Sequence, residues 1–223
     1  MGRRAIYLYS NYIYIRQCSN ALIYDSVVPM NRKFLSLVLA AAILWSPVSV
    51  LAFERYNRVT KFDPYFSKYT KRYFGPAFDW QLFKAQAVAE SHLAANATSH
   101  VGAVGIMQIM PRTFEEIRKK QPAIKGTREQ PRWNIAAGIY YDRQLWNTWK
   151  AERPFQDRLN FTFGSYNAGK QNILKAQKAA QKKGLNPNLW QSIQEELPGI
   201  TGSNSKETIT YVNKIEKITE VLY

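Results

Sequence analysis

The chain has 223 residues, enough to bury a core without disulfides, and its 46% apolar and 21% charged residues fit ordinary globular protein rather than a disordered or polytopic membrane chain. Its 31 Lys and Arg against 16 Asp and Glu give +15, which favours an anionic polymer or surface as partner without choosing among nucleic acid, lipid headgroups and an acidic cell wall. One cysteine, Cys18, excludes an internal disulfide and a multi-cysteine metal site, and two histidines, His92 and His100, exclude a histidine-rich centre; neither metal nor cofactor is expected.

Residues 1–29 are rich in tyrosine (Tyr7, Tyr9, Tyr12, Tyr14, Tyr24) and show neither helix caps nor a clean apolar period. They read as a spurious or disordered extension ahead of an initiator at Met30. Residues 30–52 have the form of a secretory signal peptide: Arg32 and Lys33, an apolar stretch from Phe34 to Trp45, a breaker at Pro47 and a small-residue site ending at Ala52. Cleavage there makes Phe53 the first mature residue and places the protein in the periplasm or cell envelope. The rival reading is an uncleaved membrane anchor over residues 34–53, which carry no charge and are just long enough to span a bilayer. No cysteine follows the apolar run, so a lipoprotein anchor is not available. Removal of residues 1–52 takes away Arg3, Arg4, Arg16, Arg32, Lys33 and Asp25 and leaves a cysteine-free domain of 171 residues at +11.

From residue 53 onward, apolar residues recur at helical spacing between wide Pro, Gly, Ser and Asn breaks, which predicts a single, predominantly α-helical domain. Asp79 is placed to cap a helix from Trp80 to about Ala94, with Phe83, Ala87 and Glu90 on one face. Pro111 suits a first helical position and leads through Phe114 and Ile117. Further helices are expected from about Trp133 to Trp149, from Pro154 through Phe163, and from Lys170 to Lys183 with a stop at Gly184. Asn204 and Glu207 fit a capping box that opens a last helix on Ile209, Val212, Ile215, Ile218 and Leu222. The stretch Asn96 to Pro111, with Gly102 and Gly105, breaks the pattern and predicts a loop or short hairpin directly after the Glu90 helix.

Glu90 stands out chemically. It lies on the inward stripe near the C-terminal end of its helix, where burial and the macrodipole both disfavour negative charge and raise the pKa. A raised pKa suits a general acid near neutral pH. The bland reading pairs Glu90 with a nearby Arg or Lys, and spacing leaves both open.

Ala89-Glu90-Ser91 followed by Ser99-His100-Val101-Gly102-Ala103-Val104-Gly105-Ile106-Met107-Gln108-Ile109-Met110-Pro111 resembles the lytic transglycosylases of bacterial cell walls, specifically the soluble lytic transglycosylase (SLT) catalytic-domain family. Asn134-Ile135 with Gly138 and Tyr141, then Ser165-Tyr166-Asn167-Ala168-Gly169, then Glu207-Thr208 with Tyr211-Val212 follow in family order. Four blocks over about residues 79 to 213 make the match specific. It departs only slightly, with Ser165 where alanine is usual and Ile106 where leucine is commoner.

The resemblance implies an α+β lysozyme-like fold, dominated by helices, and Glu90 as the sole catalytic acid and base. It also implies that Ser99, Gln108, Met110, Tyr141, Tyr166, Asn167, Glu207 and Tyr211 line the glycan cleft or hold Glu90. The bland alternatives are core filling for Met107 and Met110, packing for Tyr141, a helix end for Tyr166 and Asn167, and capping for Glu207. The implied activity is cleavage of the β-1,4 bond between N-acetylmuramic acid and N-acetylglucosamine with closure of a 1,6-anhydro ring. The partners expected are glycan strands of peptidoglycan, no nucleic acid, and a monomeric chain. The alternatives are a hydrolytic muramidase resembling goose-type lysozyme, with Asp142 or Glu115 as base, and a catalytically silent glycan-binding module.

Overall fold

The computed structural model describes residues 4–9, 12–19, 22–29 and 53–222. The chain divides into two units, Met1–Ser49 and Val50–Tyr223. In the first, β1 (Arg4–Tyr9), β2 (Tyr12–Ser19) and β3 (Leu22–Pro29) form an antiparallel meander with Arg4 opposite Gln17 and Tyr12 opposite Pro29. Tyr, Ile and Val favour extended backbone, and an alternation of two leaves no helical period to read. The leader expected over residues 30–52 lies outside the described residues.

The second unit opens with a 3₁₀ turn, Arg55–Arg58, followed by α1 (Asp63–Phe74), α2 (Gln81–Ser91), α3 (Pro111–Lys120) and α4 (Pro131–Trp146). After these come α5 (Phe155–Ala168), α6 (Lys170–Lys182), α7 (Trp190–Thr201) and α8 (Asn204–Leu222). Helix α5 is the pillar, buried continuously from Leu159 to Ser165 and flanked by α4, α6, α7 and α8. Its inward hydroxyls are satisfied within the helix, Thr162 Oγ1 donating to Arg158 O (2.8 Å) and Ser165 Oγ to Phe161 O (2.6 Å). Helix α2 packs between α1 and α8, and Phe74, Phe78, Phe83, Trp146 and Phe155 form an aromatic cluster beside it. Full burial of a ring such as Phe83 contributes about 1.5–3 kcal/mol, whereas Phe155 at the edge of the cluster stays exposed. No helix among the described residues is long and apolar enough to cross a membrane.

The expected helices are present with adjusted ends. Helix α4 starts at Pro131, a first-turn proline, and ends at Trp146. Helix α2 stops at Ser91, short of Ala94, because His92 (φ 55°) and Leu93 (φ 62°) turn left-handed and carry Leu93 into the core. The capping box at α8 does not form: Asn204 is the first helical residue, and the turn is closed by Ser205, whose N–H and Oγ both donate to Gly202 O (3.1 and 2.6 Å). Helices α1 and α7 go beyond the expectation. In α1, Phe66, Tyr69 and Thr70 are buried at helical spacing, but its aromatic and Thr content looks like strand; in α7, Pro198 and Gly199 in the last turn imitate a loop.

Candidate active site

Helix α2 presents Glu90. The helix starts one residue later than expected, with Trp80 and not Asp79 as its N-cap residue, and Asp79 Oδ1 accepts from the Gln81 N–H (2.9 Å) just ahead of it. At its far end the Tyr56 hydroxyl, itself accepting from Arg55 Nη2 (2.7 Å), meets His92 Nδ1 at 2.5 Å. Burial and the charges of Lys214 and Arg55 hold the His92 pKa down, which keeps the ring a neutral acceptor. The first turn of the domain is thereby fastened to the end of the helix that carries the carboxylate.

The Tyr211 hydroxyl on α8 donates to Glu90 Oε1 at 2.6 Å. One turn further along α8, Lys214 Nζ donates to Ala89 O (3.1 Å). Burial pushes the Glu90 pKa up to about 7; the Tyr211 hydrogen bond and the Lys214 charge oppose the rise, and Glu207 adds to it. Burial, then the charge of Glu90, raises the hydroxyl pKa of Tyr211 and of Tyr166 well above the usual value, so both remain protonated donors. Beside the carboxyl lies an open groove of about 510 Å³ lined by Glu90, Asn167, Lys206, Glu207, Tyr211 and Lys214.

The loop between α2 and α3 forms the next wall. Two isolated bridges, Thr98 with Val104 and Val104 with Ile109, give it the shape of a minimal hairpin. It is anchored from behind by Asn134, fully buried on α4, which donates to Val104 O (2.8 Å) and Arg128 O (2.7 Å) and accepts from Met107 N–H (2.7 Å). Gly105 (φ +81°) allows this approach, since a Cβ there would lie 2.5 Å from Asn134 Nδ2; a Cβ on Gly138 would lie 2.8 Å from Met107. From α2, Ser91 Oγ donates to Ile106 O (2.8 Å), and from α5, Tyr166 donates to Met107 O (2.7 Å).

The residues singled out in the sequence therefore separate into groups. Glu90, Asn167, Glu207 and Tyr211 line one groove. Tyr166 backs it, edge-on to Tyr141 with ring centroids 5.3 Å apart. Tyr141 opens instead on a neighbouring depression of about 190 Å³ shared with Glu116, Lys120, Gln144 and Lys170. Ser99 closes a turn of the loop, its Oγ accepting from Ala103 N–H (3.0 Å). The Gln108 amide donates to Gly105 O (2.9 Å) and Ala97 O (3.3 Å), and Met110 stands exposed just before α3. Glu115 pairs with Arg118 on the surface of α3, and Asp142 is fully buried.

The model of the transglycosylase SLT domain family matches residues 65–188, more than half of the chain. The chain belongs to the transglycosylase SLT family. Among curated relatives it is 34% identical over 156 residues to membrane-bound lytic murein transglycosylase F of Desulfosudis oleivorans, covering 70% of this chain and 32% of that protein. The same-named protein of Shewanella pealeana is 29% identical over 177 residues, 74% of this chain and 35% of that one. The chain thus spans about a third of the length of these relatives. Among solved structures, the 70 kDa soluble lytic transglycosylase of Escherichia coli aligns with a TM-score of 0.56 at 23% identity, covering 73% of this chain and 24% of that one. Its complex with bulgecin A aligns with the same TM-score at 22% identity, over 84% and 27%. These likenesses show the lysozyme-like fold.

Beyond the matched residues, on α8, Lys206, Thr210 and Lys214 face the groove with Glu207 and Tyr211 and are not among the residues that the sequence singles out. The signal is their spacing of three and four along α8, which puts them on one face. Thr208 serves the site indirectly, its hydroxyl donating to Asn167 Oδ1 (2.8 Å).

Proposed function

We propose that this SLT domain is a peptidoglycan lytic transglycosylase in which Glu90 acts first as acid and then as base. The observation that carries the reading is the Glu90 carboxyl with its pKa raised to about 7 at the edge of an open groove, gripped at Oε1 by Tyr211. At neutral pH a large share of the molecules hold the proton. Tyr211 occupies Oε1, which leaves Oε2 to deliver the proton to the glycosidic oxygen. The bond from C1 of the muramoyl residue to that oxygen then breaks, and the electron pair goes to the leaving sugar. Glu90, now a carboxylate stabilised by the Tyr211 hydroxyl and the Lys214 charge, takes the proton of the C6 hydroxyl as O6 bonds to C1. Glu90 is protonated again, a 1,6-anhydro end has formed, and no water is consumed.

One carboxylate suffices for this sequence, whereas hydrolases of the usual kind use two. A hydrolytic reading draws support from Glu207, which lines the same groove and could activate a water; Asp142 and Glu115, the bases suggested by the sequence, do not reach it. Mass analysis of fragments from purified sacculi separates the two, because a transglycosylase fragment is one water lighter. Fragments at the hydrolysed mass refute the transglycosylase, and no fragments from a folded protein refute catalysis. Names of relatives that are membrane-bound lytic murein transglycosylases support an envelope location and murein glycan strands as the partner; we propose that the chain acts as a monomer.

A further inference from the structure

The mechanism leaves one buried carboxyl unused. Asp142 on α4 is fully buried, and so is Gln86 on α2, whose Nε2 donates to Asp142 Oδ1 at 3.2 Å. The other two polar atoms of the pair, Gln86 Oε1 and Asp142 Oδ2, are enclosed without a hydrogen-bond partner. An ionised carboxylate has only acceptors, so the amide oxygen of Gln86 and the second carboxylate oxygen of Asp142 would each be left desolvated and unpaired. A single proton resolves both. A planar carboxylic acid and a planar amide joined by one hydrogen bond close a second, O–H to amide oxygen, and the two form a ring.

We propose that Asp142 is a neutral carboxylic acid whose proton lies on Oδ2 and is donated to Gln86 Oε1, and that the resulting ring is a positioning device for Glu90. Gln86 precedes Glu90 by four residues and lies one turn below it on the same face of α2. The Gln86–Asp142 contact is the hydrogen bond that ties α2 to α4 among the described residues. The charge that reaches Asp142 is that of Glu90 on α2, an anion; Tyr141 on its own helix, Tyr166 on α5 and Tyr211 on α8 are the titratable neighbours, whose hydroxyl pKa values Asp142 in turn helps to raise. Burial first, and then Glu90, raises its pKa well above the usual carboxyl range, against the Gln86 hydrogen bond. A neutral floor also lets Glu90 give up its proton in the first step, since a second negative charge one turn away would hold that proton on. Asp142 therefore keeps its proton throughout turnover and touches no substrate.

The role rests on Glu90 being the acid, but the protonation state does not, and the test separates them. An infrared difference spectrum between Glu90→Gln and Glu90→Gln/Asp142→Asn at neutral pH removes Glu90's own proton from view. The expected result is the carbonyl band of a protonated carboxyl that vanishes with Asp142, and its absence overturns the proposal whatever the enzyme does. In turnover, Asp142→Leu fills the space without the ring and should lower kcat roughly 10- to 100-fold with little change in KM, as displacement of a catalytic group does. Asp142→Asn re-creates both hydrogen bonds as an amide pair and should recover most of that loss. Equal loss in the Asn and Leu variants would make Asp142 an ionised base, and a fully active Leu variant would make it a spectator; either overturns the proposal.

Discussion

Replacing Tyr211 by Phe deletes one oxygen, the one that donates to Glu90 Oε1 at 2.6 Å, and keeps the ring that fills the space. Tyr211 is only 8% exposed, so no water takes over the bond without rearrangement. A hydrogen bond to a charged acceptor contributes about 1.5–3 kcal/mol, and 1.36 kcal/mol corresponds to one pKa unit, so the carboxylate form of Glu90 loses roughly 1–2 units of support. The sign follows from which form the bond favours. The hydroxyl stabilises the charged form and holds the pKa down against burial; without it, the pKa climbs from about 7 to roughly 8–9. The proposed reaction needs protonated Glu90, so kcat/KM should fall as pH rises through that pKa, and its alkaline limb should move upward by the same 1–2 units. The plateau should drop as well, because the carboxyl is no longer held. The assay is kcat/KM on a soluble glycan fragment between pH 5 and about 10, where the free enzyme's ionisations are read. An alkaline limb that stays in place or moves downward refutes the assignment of Tyr211 as the donor that tempers Glu90.

Glu90→Gln keeps the shape without the proton and should reduce turnover by at least ~10³-fold with glycan binding intact, checked by sacculus digestion alongside a pull-down. The same variant should be the more stable one as pH rises: wild-type Glu90 stays protonated in the fold until about 7 while the unfolded chain ionises near 4.5, so wild-type stability falls across that window by about 2–3 kcal/mol relative to the amide, and parallel urea midpoints against pH would contradict the raised pKa. Asn134→Ala leaves two carbonyls and one N–H without their buried partner and should lower stability by roughly 3–5 kcal/mol, so a loss below about 1 kcal/mol in urea denaturation would show that the loop stands without it. Salt should weaken binding to whole sacculi much more than turnover of a short neutral fragment, because the basic surface acts over a Debye length of about 8 Å whereas the groove contacts are short-range; equal loss in both assays would refute the electrostatic reading of the composition.

Helical periodicity located α2, α3, α4, α5, α6 and α8 because each puts one apolar stripe against the core, and Glu90 was visible as a charge on such a stripe. The strands β1 to β3 were not legible, since a search for a 3.6-residue period is blind to alternation. Helix α7 was hidden by Pro198 and Gly199, loop-forming residue types that fall inside its last turn. At the site, Glu90, Asn167, Glu207 and Tyr211 come together as the blocks suggested, although α2 and α8 are separated by more than a hundred residues. The Gln86–Asp142 pair escaped because each residue alone looks like an ordinary polar position, and only packing reveals that both lie in the interior. Residue patterning carries burial by face; it does not carry which buried face meets which.

Several residues of the four blocks hold the loop beside Glu90 without standing in the groove. Ser91 and Tyr166 hold the carbonyls of Ile106 and Met107, Asn134 holds the Val104 carbonyl and the Met107 N–H, and Gly105 and Gly138 keep clear the space these bonds require. Thr208 does the same for Asn167. If Glu90 gives a proton and then recovers one from a different atom, as proposed, it cannot shift between the two events, because an error of about 1 Å costs on the order of 10²-fold. Two-carboxylate enzymes divide those duties between side chains; under the proposed mechanism they fall on Glu90, which α8 holds through Tyr211 while α4 and α5 brace the adjoining loop through Asn134 and Tyr166. The loop residues Ser99 and Gln108 likewise turn their polar groups inward to the backbone: they keep the wall of the groove in shape, and on the proposed mechanism a groove of fixed shape is what would keep a sugar within reach of Glu90.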